Sequence, residues 1–213
     1  MSVLSGASIR SRLESSDHNS RLVVSPLLDP EQLRPDQASI DVRLGFEFAF
    51  VTPSSFGSVD ELGVVSGGNS KAFLSTLFER EYVPFGSELV IHPHQFLLAT
   101  TLEYLRLPND LMAYVVGRST WGRLGLIVAT AVGIHPRFAG SLTLELRNLG
   151  ETPLTLYPGQ TIGQLFFHKV ETSEGSAAES GQYIGSVDMV PKNISSEKTA
   201  SKLRKLKEEF KKK

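Results

Sequence analysis

Short apolar runs separated by turn-forming residues fill the sequence from Glu81 to Val170. The turn signals include LPND, NLGE and YPGQ, in which proline, asparagine, aspartate and glycine favour reversal of the chain. Many short strands with such regular punctuation are typical of an all-β sandwich, jelly roll or related barrel. The runs that we predict as strands are YVPF, SELVI, QFLLATTLEYLRL, LMAYVVG, LIVATAVGI, SLTLELRN, TPLTLY and TIGQLFFHKV.

The residues before this region predict a short helix, a loop and one more strand. Ser5 is placed to cap the helix. Three prolines make residues 25–37 an extended, looping segment. Residues 38–51 alternate apolar and polar side chains as a strand does, and the Gly- and Ser-rich residues 52–70 predict an exposed loop or hairpin tip. The apolar residues with roughly helical spacing at the start are Leu4, Ile9 and Leu13.

Composition narrows the class of protein. The chain has 213 residues, which suits one domain with a proper core, and its formal net charge of -1 provides no field that would gather nucleic acid. No cysteine is present, which excludes disulfides and Cys-ligated metal sites and fits a reducing compartment. No apolar run approaches the ~20 residues of a membrane span, and the N-terminus lacks the apolar stretch of a signal peptide. We therefore expect a cytoplasmic protein without membrane or nucleic-acid partners.

The last 20 residues differ in charge from the rest of the chain. They hold eight lysines and arginines against three glutamates, so the remainder is net acidic. Leu203, Leu206 and Phe210 follow helical spacing there. We divide the chain into a domain over residues 1–190 and a basic C-terminal tail over residues 191–213. A solvated tail is favoured over an anchor for nucleic acid or membrane.

The stretch GRSTWGRLGL, residues 117–126, is a glycine-flanked turn with two arginines. If its centre forms one helical turn, Ser119 or Thr120 caps that turn. Free backbone N–H groups there, together with the guanidinium groups of Arg118 and Arg123, suit an anion with several oxygens, such as a triphosphate. The alternative is that both arginines form ion pairs with neighbouring residues.

In SLTLELRN, leucines alternate with polar residues in the middle of a predicted strand. Period two sends Leu142, Leu144 and Leu146 to one face and Glu145 to the other. A carboxylate flanked by leucines is costly to bury unless it is paired or used in chemistry. Glu145 is therefore either an exposed strand residue or the partner of an arginine, or else a proton shuttle.

One known family shares four motifs with this chain: ASIDVRLG (38–45), GRSTWGRLGL (117–126), GIHPRFAGSLTLELRN (133–148) and PGQTIGQLFF (158–167). In order and spacing, and with the N-terminal LSGASIRSRLES, they resemble the bacterial dCTP deaminases of the dCTP deaminase/dUTPase superfamily over about residues 4–170. The resemblance implies a distorted jelly-roll fold (a β-clip, dUTPase-like) with short helices. It also implies a homotrimer with active sites between subunits.

The resemblance further implies hydrolysis of dCTP to dUTP and ammonia, with Mg²⁺ bound through the nucleotide triphosphate and no metal in the chemistry. In that reaction Glu145 is the general acid/base, Ser119 positions the water, and Arg123 holds Glu145 or polarises the base. Arg118 binds the phosphates. Zinc deaminases need a His/Cys/Cys or Cys₃ metal site, which a chain without cysteine does not have. The residues predicted to bind substrate are Arg118, Ser119, Thr120, Trp121, Gly122, Arg123, Ala131, Val132, His135, Thr143, Leu144, Glu145, Gln182 and Tyr183.

Two departures from the family pattern keep other functions open. His135 stands where superfamily members usually carry aspartate, which in dUTPases activates the hydrolytic water and holds the 3'-hydroxyl of the sugar. A histidine still hydrogen-bonds a hydroxyl, but it is a poorer mimic of the charged base. Residues 176–193, where Gln182 and Tyr183 are the candidates to cover the phosphates, are only loosely similar to the family's closing segment. The alternatives are a dUTPase-type or modified-nucleotide pyrophosphohydrolase, and a non-catalytic nucleotide-binding paralogue.

Other residues have structural interpretations. Asp41 and Arg43 share a face of IDVRL, which favours an ion pair that shapes a subunit interface. His92 and His94 stand two apart in a strand-like run and are predicted as strand-edge histidines rather than metal ligands. Trp121 either stacks on a base or packs against a neighbouring subunit or the short helix.

Overall fold

A computed structural model describes residues 2–28, 30–52, 77–129, 133–171 and 198–211 of the protein. Most of the regular structure in these residues is β-sheet. The helices are α1 (Gly6–Leu13), α2 (Ser119–Arg123) and α3 (Lys198–Lys211), with a 3₁₀ turn at Pro30–Gln32. The strands are β1 (Val23–Ser25), β2 (Ser39–Val51), β3 (Phe78–Tyr82), β4 (Leu89–Ile91), β5 (Phe96–Arg106), β6 (Leu111–Gly117), β7 (Leu126–Val128), β8 (Gly133–Ile134), β9 (Ala139–Asn148), β10 (Leu154–Leu156) and β11 (Thr161–Lys169).

The chain divides into two compact units. The first consists of Met1–Phe48 and Glu81–Met189, and the second of Ala49–Arg80 and Val190–Lys213. The four motifs quoted above all lie in the first unit, so the candidate site is built from that unit.

The described strands form one nine-stranded sheet and one small sheet. The order in the large sheet is β7-β9-β5-β2-β11-β6-β8, with β1 added on β5 and β3 on β2, while β10 pairs with β4. The registers of β9 with β5 and β7, and of β11 with β2 and β6, are antiparallel. The predicted all-β class is confirmed, and the large sheet contains strands with residues from all four sequence motifs.

Period-two alternation places the leucines of β9 in the core. Leu144 and Leu146 are fully buried and Leu142 is nearly so, whereas Glu145 is half-buried on the opposite face. Burying one such aliphatic side chain stabilises the fold by about 1.5–3 kcal/mol. The other large side chains that are fully buried are Phe48, Phe167, Ile9, Leu22, Ile40, Leu44, Ile91, Leu97, Leu105 and Leu111.

A buried ion pair joins β5 to β2. Glu103 on β5 is fully buried, and Arg43 on β2 is 8% exposed. Arg43 donates to both carboxylate oxygens of Glu103, from Nε to Oε1 at 2.7 Å and from its backbone N to Oε2 at 2.8 Å. Gln32 donates from Nε2 to Oε1 of Glu103 at 3.0 Å. These bonds satisfy the buried carboxylate and tie the loop that contains Gln32 to the sheet.

The expected ion pair between Asp41 and Arg43 is wrong. Arg43 pairs with Glu103, and Asp41 pairs with Arg118. Side chains two apart on one strand are separated by about 6.6 Å, whereas neighbouring strands lie only about 4.8 Å apart. Because β2 lies between β5 and β11 in the sheet, residues of other segments are closer partners than the second neighbour along the chain.

The N-terminal helix forms as predicted. α1 begins after Ser5, whose Oγ accepts a hydrogen bond from the backbone N of Ser8 at 3.3 Å. Leu4 and Ile9 are buried and Leu13 is half-buried. The capped helix therefore turns its apolar stripe toward the body of the first unit.

Some predicted strand regions differ in detail. The run LIVATAVGI contains two strands rather than one: β7 pairs with β9, and β8 pairs with β6. His92 and His94 lie in the turn between β4 and β5, not on a strand, so that interpretation is wrong. His94 has a φ of 65°, which reverses the chain at a point where a strand would continue. Of the predicted loop at residues 52–70, all but Thr52 lies outside the described residues.

In the second unit, α3 is a basic helix with exposed apolar side chains. Leu203 is 45% exposed and Phe210 is 75% exposed, and the lysines Lys202, Lys205 and Lys207 are exposed as well. None of the helices in the described residues is long and apolar enough to cross a membrane.

Candidate active site

The arginine-serine turn forms the short helix α2 directly after β6. Arg118 is the N-cap residue, with extended backbone at φ -72° and ψ 132°, and its side chain makes no capping hydrogen bond. The expectation that Ser119 or Thr120 caps the helix is wrong. The backbone is extended up to Arg118 and becomes helical at Ser119. Both hydroxyl residues therefore lie in the first turn, where they are exposed.

Two hydrogen bonds fasten α2 to the start of β11. The backbone N of Arg118 donates to the carbonyl oxygen of Ile162 at 3.2 Å. The indole Nε1 of Trp121 donates to the carbonyl oxygen of Thr161 at 3.0 Å, and the ring is half-buried. Trp121 therefore holds α2 on the sheet through its indole N–H, and its stacking on a base or packing against a neighbouring subunit stays a prediction.

The chain from α2 leads directly to the strand that carries Glu145. β7 follows α2 and pairs with β9, with Val128 opposite Leu146. The backbone N of Ala129 then donates to the carbonyl oxygen of Glu145 at 2.8 Å. Gly117, the residue before Arg118, lies against Val128, since a Cβ built on this glycine would stand 3.2 Å from Val128 Cγ2. The fold thus brings the arginine-serine turn and Glu145 into one region of the same protomer.

Glu145 lies on a partly apolar face of the sheet. Leu98 of β5 is directly opposite, in antiparallel register, and is itself half-buried. Thr143 and Arg147 flank Glu145 on the same face of β9. The carboxylate is therefore partly shielded from solvent by the sheet.

Arg118 forms an ion pair with Asp41. Its Nη1 donates to Oδ1 at 2.9 Å and to Oδ2 at 3.1 Å. Gln164 on β11 donates from Nε2 to the same Oδ1 at 3.0 Å. The interpretation of Arg118 as an ion-pair partner is thus correct for one edge of its guanidinium, and its role with phosphates stays a prediction. The sequence pattern predicted neither contact of Asp41, although Asp41 and Gln164 are each a polar residue within an apolar strand.

The remaining site residues of the turn and of β9 differ in accessibility. Ser119, Thr120, Gly122 and Arg123 are exposed, and Thr143 is half-buried. The side chain of Leu144 is fully buried in the core, so this residue offers a nucleotide only its backbone. Ala131, Val132, Gln182 and Tyr183 lie outside the described residues.

His135 lies at a distance from the arginine-serine turn of its own protomer. β8 pairs with β6 so that Gly133 faces Tyr114 and Ile134 faces Ala113. At His135 the chain is therefore running toward the start of β6, away from Arg118. Ala113 is five residues before Arg118, which corresponds to roughly 17 Å along an extended strand. His135 is exposed, and the backbone N of Phe138 donates to its carbonyl oxygen at 3.2 Å.

Comparison with known proteins identifies the family. The model of the dCTP deaminase-like family matches residues 3–170. The chain belongs to the dCTP deaminase-like family. Members with curated names include a dUMP-forming dCTP deaminase of Methanobrevibacter smithii, 38% identical over 173 residues that cover 81% of this chain and 82% of the relative. A dCTP deaminase of Haloarcula marismortui is 40% identical over 172 residues, covering 80% of this chain and 82% of that one.

A solved structure of the family has the same fold. The 2'-deoxycytidine 5'-triphosphate deaminase of Agrobacterium tumefaciens superposes with a TM-score of 0.57 at 22% identity over 79% of this chain. This chain spans 48% of the length of that protein. The likeness confirms the predicted β-rich fold with short helices for this member of the dCTP deaminase-like family.

The return from α2 to β7 depends on Gly125, and we predict that Gly125→Ala destabilises the fold by about 1–3 kcal/mol. Its φ is +94°, and a Cβ would stand 2.6 Å from the backbone N of Gly150. Gly122→Ala is the matched control, because a Cβ there meets nothing within 4 Å and alanine favours a helix. Urea denaturation of both variants gives the two free energies of unfolding. Equal values would contradict this role of Gly125.

Proposed function

We propose that this protein hydrolyses dCTP to dUTP and ammonia. The observation that carries the proposal is the position of Glu145. This carboxylate is half-buried in the middle of β9. The neighbouring strand β7, which pairs with β9, follows the arginine-serine helix α2 in the chain. Curated members of the family carry dCTP deamination in their names.

In this proposal Glu145 moves two protons in turn. The carboxylate accepts a proton from water while the water oxygen attacks C4 of cytosine, and it delivers that proton to N3. It then accepts the proton of the new C4 hydroxyl and delivers it to the amino group. The C4–N bond breaks, ammonia leaves, and the C4 carbonyl of uracil forms. General acid–base catalysis of this kind contributes about 10²–10⁴-fold to a rate.

The residues of α2 surround that chemistry with polar groups. Ser119 has an exposed hydroxyl that positions the attacking water, and Arg123 supplies a positive charge to Glu145 or to the base. Arg118 binds phosphate oxygens with the guanidinium edge that Asp41 does not occupy. Mg²⁺ enters as part of the substrate, held by phosphate oxygens, which are ligands that this ion prefers.

The same proposal includes a homotrimer with sites between subunits. Its first support is the separation of His135 from the arginine-serine turn within one protomer, since a site that uses both needs them from two copies. Its second support is the exposed apolar surface beside α2, where Leu124 is 54%, Ile127 39% and Leu149 52% exposed. A second copy of the chain would cover these side chains.

Product analysis tests the reaction against its rivals. Some relatives are named dUMP-forming, which makes release of pyrophosphate the second candidate activity. We expect one ammonia per dCTP consumed, intact dUTP and no pyrophosphate, because His135 replaces the aspartate that the superfamily resemblance assigns to pyrophosphate release. The assay incubates purified protein with each deoxynucleoside triphosphate and Mg²⁺ and measures ammonia and pyrophosphate.

The variant His135→Asp is the matched comparison in that assay, and we expect it to add pyrophosphate release to ammonia release. Equal amounts of pyrophosphate and ammonia from the unaltered protein would establish the dUMP-forming reaction instead. A rise in melting temperature with nucleotide but no turnover would identify a non-catalytic nucleotide-binding protein.

A further inference from the structure

The contact between Asp41 and Arg118 has a specific geometry. Both oxygens of the Asp41 carboxylate accept from the same guanidinium nitrogen, Nη1. Within the described ranges, no protein group accepts a hydrogen bond from Nε or Nη2 of Arg118. The ion pair therefore holds the guanidinium from one end and leaves its other N–H edge available, and that edge has the spacing that binds two phosphate oxygens.

Asp41 is itself held in place by the sheet. Gln164 lies opposite Asp41 in the β11–β2 register and opposite Val116 in the β11–β6 register. From that position its Nε2 donates to Oδ1 of Asp41 at 3.0 Å. The Asp41 side chain is 14% exposed and the Arg118 side chain 36% exposed. Asp41, which is fixed on the central strand β2, thus holds the guanidinium of Arg118, the N-cap residue of α2.

We propose that Asp41, fixed by Gln164, is a positioning residue that pre-orients Arg118 to receive the triphosphate. This inference rests on the proposed function in that it takes Arg118 as a phosphate-binding group. Arginine has several rotatable bonds, and ordering it only when the ligand arrives would subtract from the binding free energy. A guanidinium already held at Nη1 has lost most of that freedom before the nucleotide binds.

The carboxylate also has an opposing effect. Its negative charge repels phosphate, so removal of Asp41 would strengthen binding if charge outweighed orientation. Three features favour orientation. The carboxylate is charge-compensated by Arg118, it faces the end of the guanidinium opposite to the free edge, and a further donor from Gln164 disperses its charge. We therefore expect the loss of Asp41 to weaken triphosphate binding.

A double-mutant cycle tests the proposal. Asp41→Ala, Arg118→Ala and the double variant are made in the Glu145→Gln background, so that the substrate is not consumed, and binding of Mg·dCTP is measured by calorimetry. Asp41→Ala is expected to raise Kd about tenfold, as an ordering cost of one long side chain predicts. In the Arg118→Ala background the same change is expected to alter Kd less than about twofold, because Asp41 acts through Arg118.

Two comparisons separate positioning from a general structural role. Deoxycytidine, which has no phosphate, is expected to bind equally to the variants with and without Asp41, whereas a distorted site would weaken both ligands. Asp41→Asn keeps one acceptor oxygen and is expected to recover part of the lost affinity. Asp110→Ala is the control for loss of an ion pair, because Asp110 pairs with Arg12 at the opposite end of β6 and should leave Kd unchanged.

The outcomes distinguish this inference from the proposed reaction. Tighter dCTP binding by Asp41→Ala, or a full effect of that change in the Arg118→Ala background, would overturn the positioning role. Failure to bind any deoxynucleoside triphosphate would overturn it as well, since the role requires a phosphate at Arg118. If the unaltered protein binds dCTP but releases no ammonia, the proposed reaction is wrong while the cycle still decides the role of Asp41.

Discussion

Replacing Glu145 with glutamine is expected to lower kcat for ammonia release from dCTP by about a thousandfold or more. Glutamine has nearly the same shape and still forms hydrogen bonds, but its amide does not accept and return a proton at neutral pH. Both proton transfers of the proposed reaction pass through this one group. The backbone bond from Ala129 to Glu145 does not involve the side chain, so the strand pairing that holds the site is preserved.

The measurement is steady-state release of ammonia, together with the Kd for dCTP. Kd is expected to change only a few-fold, because the loss falls on the transition state rather than on ground-state binding. Glu151→Gln is the matched control, since the Glu151 side chain is 88% exposed in a turn and its loss should leave kcat as it is. Near-normal turnover by Glu145→Gln would remove Glu145 from the role of general base.

The second large effect concerns stability. Glu103→Ala is expected to lower the free energy of unfolding by about 3–5 kcal/mol, because it leaves the guanidinium of Arg43 buried without its carboxylate. A loss of that size is a large part of the roughly 5–15 kcal/mol that holds a domain folded. Urea denaturation followed by circular dichroism measures it.

Two further variants make this prediction specific. Glu31→Ala removes the partner of Arg34 from an ion pair whose side chains are 72% and 48% exposed, and should cost less than about 1 kcal/mol. Replacing both buried partners at once, by Arg43→Met with Glu103→Leu, is expected to restore much of the loss, because no unpaired charge is then left in the core. Similar losses of unfolding free energy for Glu103→Ala and Glu31→Ala would show that burial does not determine how much the Arg43–Glu103 pair stabilises the fold.

The β-rich fold and the division of β9 into two faces were predictable from local pattern. Leu142, Leu144 and Leu146 are buried and Glu145 is not, as alternation along one strand requires. Ser5 caps α1 for an equally local reason, since a cap and its helix are adjacent in the chain. Such features depend on residues within a few positions of each other, and the physical rules for them act at that range.

Pairings between distant segments were not predictable in the same way. Asp41 and Arg43 share a strand face, yet each found its partner on another segment. Arg118 lies 77 residues from Asp41, and Glu103 lies 60 residues from Arg43. The choice among partners depends on strand order and register, which a single sequence does not specify.

By itself, the sequence determined which residues can do chemistry and which face of a strand each occupies: a carboxylate among leucines, two arginines around a serine, and no cysteine. Only the tertiary structure decided that β7 carries the arginine-serine helix to Glu145, that Asp41 and Gln164 hold Arg118, and that His135 lies away from Arg118. The physical reason is that side-chain chemistry and strand alternation are local properties. Which groups meet is set by the register of strands far apart in the chain, and that register is chosen by the packing of the whole sheet.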